Sequence, residues 1–209
     1  MAKRPAWSIR EGIVICKDFE FAWNSGFAIS QKQKNIKALH DAIFDNERES
    51  ALEISTKGLN PVGKKIGAFS LKLNGIYLEN VFQASKKYEL DGPFIDLLEV
   101  SPKEAKQDER HHLSGNLISF VKDGEDWSLI PKTAFYDYIY VNALVDALGQ
   151  KLDLSDYDWF TDIEFNPQKS INCQARSVAI YKLLQKKDLF KVIKEKNKWI
   201  QFHYEYVKG

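Results

Sequence analysis

At 209 residues, with 44% apolar side chains and 13 Phe, 9 Tyr and 5 Trp, the chain suits one globular domain, residues 1–209, with a substantial core. Thirty basic side chains against 29 acidic ones exclude a sequence-wide basic field for nucleic acid or membrane, though not a local basic patch. Two cysteines without metal-like spacing, no secretory pattern at the start and no apolar run approaching the ~18 residues of a spanning helix predict a cytoplasmic protein with no membrane role and with reduced, half-buried thiols.

In chain order, the first predicted element is a strand from Ile13 to Phe21, where Ile13, Ile15, Phe19 and Phe21 alternate. Ser30 and Gln33 form a capping box for a helix whose buried stripe is Ile36, Leu39 and Ile43. Ile66 to Tyr77 predicts a strand and a tight turn at Asn74-Gly75. Tyr77 to Lys86, YLENVFQASK, predicts a helix, and Asp91-Gly92-Pro93 breaks it. Ser101-Pro102-Lys103-Glu104 is a helix start, with N-cap, proline in the first turn and an acid at N3. Leu117 to Phe120 predicts a short strand before an Asp123-Gly124 turn. Pro131 to Leu148 predicts a long helix stopped by Gly149, and Ile171 to Lys186 another, with a shorter one up to Asn197. Trp199 to Val207 alternates Phe202, Tyr204 and Tyr206 and predicts a closing strand. The sum is an α+β fold, mostly helical, with a small sheet.

Within the Tyr77 helix, Leu78, Val81, Phe82 and Ser85 share a face at about 100° per residue. Glu79, Gln83 and Lys86 fall at i, i+4 and i+7 on its shoulder, the form of a helix that lines a cleft. A solvated row with a Glu–Lys pair has the same spacing. Lys32 occupies the first turn of its helix, where the dipole disfavours a cation, and shares the inward stripe of Ile36, Leu39 and Ile43. Partial burial and the dipole both lower an ammonium's pKa, which makes a lysine a nucleophile. A lysine snorkelling at the edge of the core fits the same pattern. Lys34, roughly 200° away, faces solvent.

Lys103, Lys106 and Arg110 sit on adjacent turns of the Ser101 helix, with Lys106 and Arg110 spaced to hold one phosphate or pyrophosphate. Glu104, Asp108 and Glu109 among them equally suit a solvated, ion-paired helix. Trp127 and the Pro131-Lys132 turn offer a stacking surface for a base, or simply a core tryptophan. Asp158, Asp162 and Glu164 precede a Pro167 turn, and Asn172, Gln174 and Arg176 open the next helix, whose free N–H groups favour anions. Three acids there also suit capping. No Walker loop, GxGxxG, HExxH or GxSxG occurs, so NTPase, dinucleotide, zincin and esterase chemistry lack support. His40, His111, His112 and His203 show no ligand spacing, and His111-His112 reads as an exposed pair.

Together these segments resemble the NADAR (YbiA-like) family of N-glycosidase and ADP-ribosyl hydrolase domains. The Tyr-x-x-Glu-x-x-x-Gln-Ala-x-Lys helix is matched by Tyr77, Glu79 (one place early), Gln83, Ala84 and Lys86. The Pro-x-x-Ala-Lys-x-x-x-Arg helix is matched by Pro102, Ala105, Lys106 and Arg110. Asp162 and Asn172 to Arg176 match the last motif, with Ala175 in place of its glycine and Trp159-Phe160 in place of a Trp-Gly pair. With the GFAISQKQKNIKALH segment, the chain is most similar to the branch paired with DarT toxins, over roughly residues 20–185.

That resemblance implies a single NADAR-like domain that removes ADP-ribose from guanine in DNA, as an antitoxin to a DarT-type toxin, with ADP-ribose as product. It implies Glu79 as general acid/base, Lys32 as candidate nucleophile forming an imine, with Lys34 the alternative lysine, and Asp162 as cation stabiliser or water-orienting group. Lys106 and Arg110 would hold the pyrophosphate, and Gln83, Asn172 and Gln174 the ribose hydroxyls. Gln31, Lys34, Lys86, Trp127 and Arg176 complete the expected substrate-binding set, with neither metal nor organic cofactor required. Two rival readings are an N-glycosidase acting on a small phosphorylated metabolite such as a riboflavin precursor, and an antitoxin that only occludes the toxin. An ADP-ribose reader without turnover is a third.

Overall fold

The computed structural model describes residues 1–208. Strand β1 (Ala2–Arg10) and strand β2 (Ile13–Phe21) form a hairpin whose Glu11-Gly12 turn takes positive φ at both residues, which matches the twist of the strands it joins. β3 (Ala51–Glu53) and β9 (Trp159–Thr161) complete a four-stranded sheet in the order β2-β1-β9-β3, with β9 antiparallel to β1 and parallel to β3. Consecutive side chains point to opposite faces. Ala6 and Trp159 therefore pack with helix α1 (Ile29–Glu47), through Ile36, Leu39 and Ile43. Trp7 and Phe160 pack on the other face, in the main core.

That core is built on two almost wholly buried helices, α6 (Ala134–Leu148) and α7 (Gln174–Lys187). α8 (Lys196–Tyr206) closes it, with Trp199 fully buried and its indole N–H donating to Ala134 O at 2.8 Å. Here the expected closing strand is overturned. Trp199, Phe202, His203 and Tyr206 recur at helical spacing, and Tyr204, which the alternation placed inside, is 54% exposed. The fold is α+β, as the sequence predicts.

Between these lie the short elements that shape the candidate site: α2 (Pro61–Lys65), the hairpin β4 (Lys72–Leu73) and β5 (Ile76–Tyr77), then α3 (Leu78–Ala84). A second sheet, β6-β7-β8, joins β6 (Lys86–Tyr88), β7 (Leu117–Lys122) and β8 (Glu125–Trp127). α4 (Pro102–Gln107) has the expected capping box, with both of its hydrogen bonds formed. It ends before Arg110, which belongs to the separate turn α5 (Arg110–Leu113). The helix expected from Tyr77 to Lys86 is also shorter, since Lys86 opens β6. Ser30 is not a cap: α1 starts from Ala28, without a side-chain cap. Cys173 is buried and Cys16 exposed, both free, so neither is half-buried. Among the described residues no helix is long and apolar enough to cross a membrane.

Candidate active site

α3 is driven into place by its apolar side. The Asn74-Gly75 turn, both residues at positive φ, returns the chain so that Leu78 N–H bonds Leu71 O, and Leu78, Val81 and Ala84 bury themselves. The opposite shoulder, Glu79, Phe82 and Gln83, is left to line a cavity of about 450 Å³. Asp162, the residue that follows strand β9, lines the same cavity. The start of α7 adds Gln174 with Asn172 before it, α4 adds Lys106, and α6 adds Tyr136.

The polar groups are oriented. Gln83 Nε2 donates to Glu79 Oε1 at 2.7 Å. The buried Gln83 Oε1 has no partner among the described residues, so an acceptor remains for an incoming hydroxyl. Gln174 is fixed at both ends: its Oε1 accepts from Ala68 N–H at 2.8 Å, and its Nε2 donates to Asp162 Oδ2 at 2.9 Å. Glu164 N–H donates to Asp162 Oδ1 at 3.0 Å. Asp162 is only 7% exposed. Burial first, and the charge of buried Glu53 second, push its carboxyl up to about 7. A group titrating there exchanges protons at neutral pH, a capacity beyond the carboxylate role expected of it. Lys86 is drawn down to about 8, mainly by burial, with Glu79 opposing and Lys106 reinforcing.

A second cavity of about 620 Å³ adjoins the first and shares Phe82, Tyr136, Lys169, Ser170 and Asn172 with it. Their charges differ. The first is lined by Glu79, Asp162 and Glu164 as well as by lysines. The second has Lys86, Lys132 and Lys169, an aromatic wall of Phe82, Phe120 and Tyr136, and no carboxylate among its described lining residues.

The first cavity thus brings together Glu79, Gln83, Lys106, Asp162, Asn172 and Gln174, and Lys86 lines its neighbour. Lys32 points inward from α1, 20% exposed at its side chain, and its ammonium pairs at 3.0 Å with Glu164, a lining residue. Lys32 is not itself a lining residue of either cavity, but its carboxylate partner is. Lys34 is exposed on α1 and Gln31 half-buried at its start, and neither lines a cavity.

Three expected substrate contacts are engaged elsewhere. Arg110 forks between Asp96 and Asp108 at 2.6 and 2.8 Å and lines neither cavity, since α4, which carries Lys106, ends before it. Trp127 is a core residue against Phe135 and Tyr138. Arg176 is 4% exposed and pairs at 3.0 Å with Asp137, which also meets His203 and Ser177. Nor are the paired histidines both exposed: His111 bonds Tyr88 Oη and Ala105 O. The reading from sequence missed Tyr136, Phe82 as a wall residue, and Lys169. The first two look like ordinary apolar stripe positions, and Lys169 carries no local signal. Among the described residues no group of three or more His, Cys, Asp or Glu side chains is placed to hold a metal ion.

A family model described as DarT1-associated NADAR antitoxin matches residues 2–208, a longer stretch than the motifs span. No curated protein matches the chain.

Proposed function

Because the chain belongs to the DarT1-associated NADAR antitoxin family, we propose that it hydrolyses the N-glycosidic bond between ADP-ribose and guanine in DNA, neutralising a DarT-type toxin by reversing its modification. The observation that carries this reading is the cavity in which Glu79 and Asp162 face amides and a lysine. Its volume suits a nucleotide-sized ligand. Guanine's exocyclic nitrogen leaves ribose C1 only if it gains a proton, and Asp162, titrating near 7, can supply one.

In this mechanism the Lys32 amine, its proton passed to Glu164 at 3.0 Å, bonds C1 as the C1–N bond to guanine breaks. Ring opening gives an imine, and water activated by Glu79 cleaves it, returning the amine and releasing ADP-ribose. The net reaction consumes one water. Gln83 and Asn172 meet ribose hydroxyls, and Lys106 a phosphate. The second cavity, aromatic and lysine-lined, receives the base and neighbouring phosphodiesters. That shape favours a nucleic acid over a small phosphorylated metabolite.

Neutralisation in cells separates turnover from occlusion. Cells making the toxin should grow with the wild-type protein and fail with an equally abundant Glu79→Gln variant. Full rescue by Glu79→Gln, with a stoichiometric complex recovered, would establish the binding-only antitoxin instead.

A further inference from the structure

Glu53 is an acid at the end of a three-residue strand, and it is 2% exposed. Its Oε1 accepts from Ile163 N–H at 2.8 Å and from Ser55 Oγ–H at 2.7 Å, and its Oε2 from Thr161 Oγ1–H at 2.7 Å. Thr161 Oγ1 in turn lies 2.9 Å from His40 Nε2. The parallel pairing of β3 with β9 puts Glu53 opposite Thr161, so the sheet register imposes this contact. Thr161 and Ile163 are the residues on either side of Asp162.

We propose that Glu53 is a positioning residue for Asp162, anchoring the chain on both sides of that carboxyl and setting the charge behind it. The inference rests on the reading of Asp162 as the proton carrier of the cavity. An acceptor needed only for these donors could be an uncharged amide, which avoids the desolvation cost of a buried acid. Burial raises the carboxyls of both acids. Three donors meet the Glu53 carboxylate, two of them from the residues flanking Asp162, and the charge they stabilise holds the proton on its neighbour.

The other groups around Asp162 do not supply that charge. Tyr136 and Tyr140 on α6 and Cys173 before α7 are kept neutral by burial, as is His40 on α1, lowered to about 4. Glu164 is paired with Lys32, Glu79 has Lys86 nearby, and Asp137 is paired with Arg176. Glu53 alone among them is a buried acid with no cation beside it.

The test is a carbon-13 NMR titration of the Asp162 carboxyl, its resonance assigned by its loss in Asp162→Asn. In Glu53→Gln the midpoint should fall from about 7 by about one unit or more. The alkaline limb of the hydrolysis profile should move to lower pH with it. Ser55→Ala, which removes one donor from Glu53 and leaves the acid in place, should move the midpoint the same way by less. An unchanged midpoint in folded Glu53→Gln overturns the proposal, and if that variant does not fold, an unchanged midpoint in Ser55→Ala does. The titration needs no turnover, so a failure of the hydrolase reading is seen separately.

Discussion

Asp162 lies under opposite demands. Its carboxyl is buried with another acid behind it, a costly arrangement once ionised, yet Gln174 and the Glu164 N–H aim it into the cavity. Its folded value, about 7, lies above the ordinary 3.8. Stability from the protonated form is therefore complete below that ordinary value and lost as pH rises through about 7. Asp162→Asn should then gain on the wild type in melting temperature from pH 4 to about 7 and level off above it, while losing hydrolysis. Parallel melting curves across that range would show that Asp162 ionises without strain. The sequence marks Asp162 by its place before the α7 start. It gives no sign of Glu53, because that contact depends on β3 meeting β9 across more than a hundred residues.

At the scale of elements, short-range signals were legible and long-range ones were not. The turns at Asn74-Gly75 and Asp123-Gly124, the Ser101 capping box and the Gly149 stop all formed as expected, since each is decided within a few residues. Phe202, Tyr204 and Tyr206 alternate along α8 by chance, although Tyr204 lies off its buried stripe, and that alternation mimics a strand. β1 was not foreseen: charges and Pro5 obscure it, and Pro5 sits just before the Ala6–Ser8 stretch that pairs with β9. Arg176 illustrates the same limit. Its position at the start of α7 suggested a ligand contact, but it closes a charge cluster joining α6, α7 and α8 through Asp137, His203 and Ser177. Burial alone would raise the Asp137 carboxyl, and Arg176 with these neighbours holds it below the ordinary aspartate range. Arg176→Ala leaves that charge without its guanidinium and should cost about 3–5 kcal/mol in denaturant unfolding. A folded variant of wild-type stability with a raised KM would instead return Arg176 to the substrate site.

For the whole molecule, near-zero net charge conceals a local contrast between two adjoining cavities, one lined by three carboxylates and two lysines, the other by three lysines and no carboxylate among its described lining residues. Phosphodiester contacts in the second should make oligonucleotide binding salt-dependent. Lys132→Ala should weaken it across sequences and reduce the salt slope by about 1, leaving hydrolysis of ADP-ribosyl guanosine unchanged. Equal effects on nucleoside and oligonucleotide would remove the strand from that cavity. In the proposed reaction the carboxylate-lined cavity turns over guanine-linked ADP-ribose. The most direct measurement of that turnover is mass spectrometry of a guanine-ADP-ribosylated oligonucleotide incubated with substoichiometric protein. Free ADP-ribose and restored guanine in excess of the protein, lost in Glu79→Gln, are the predicted result. An unchanged oligonucleotide with the folded wild-type protein would rule that reaction out.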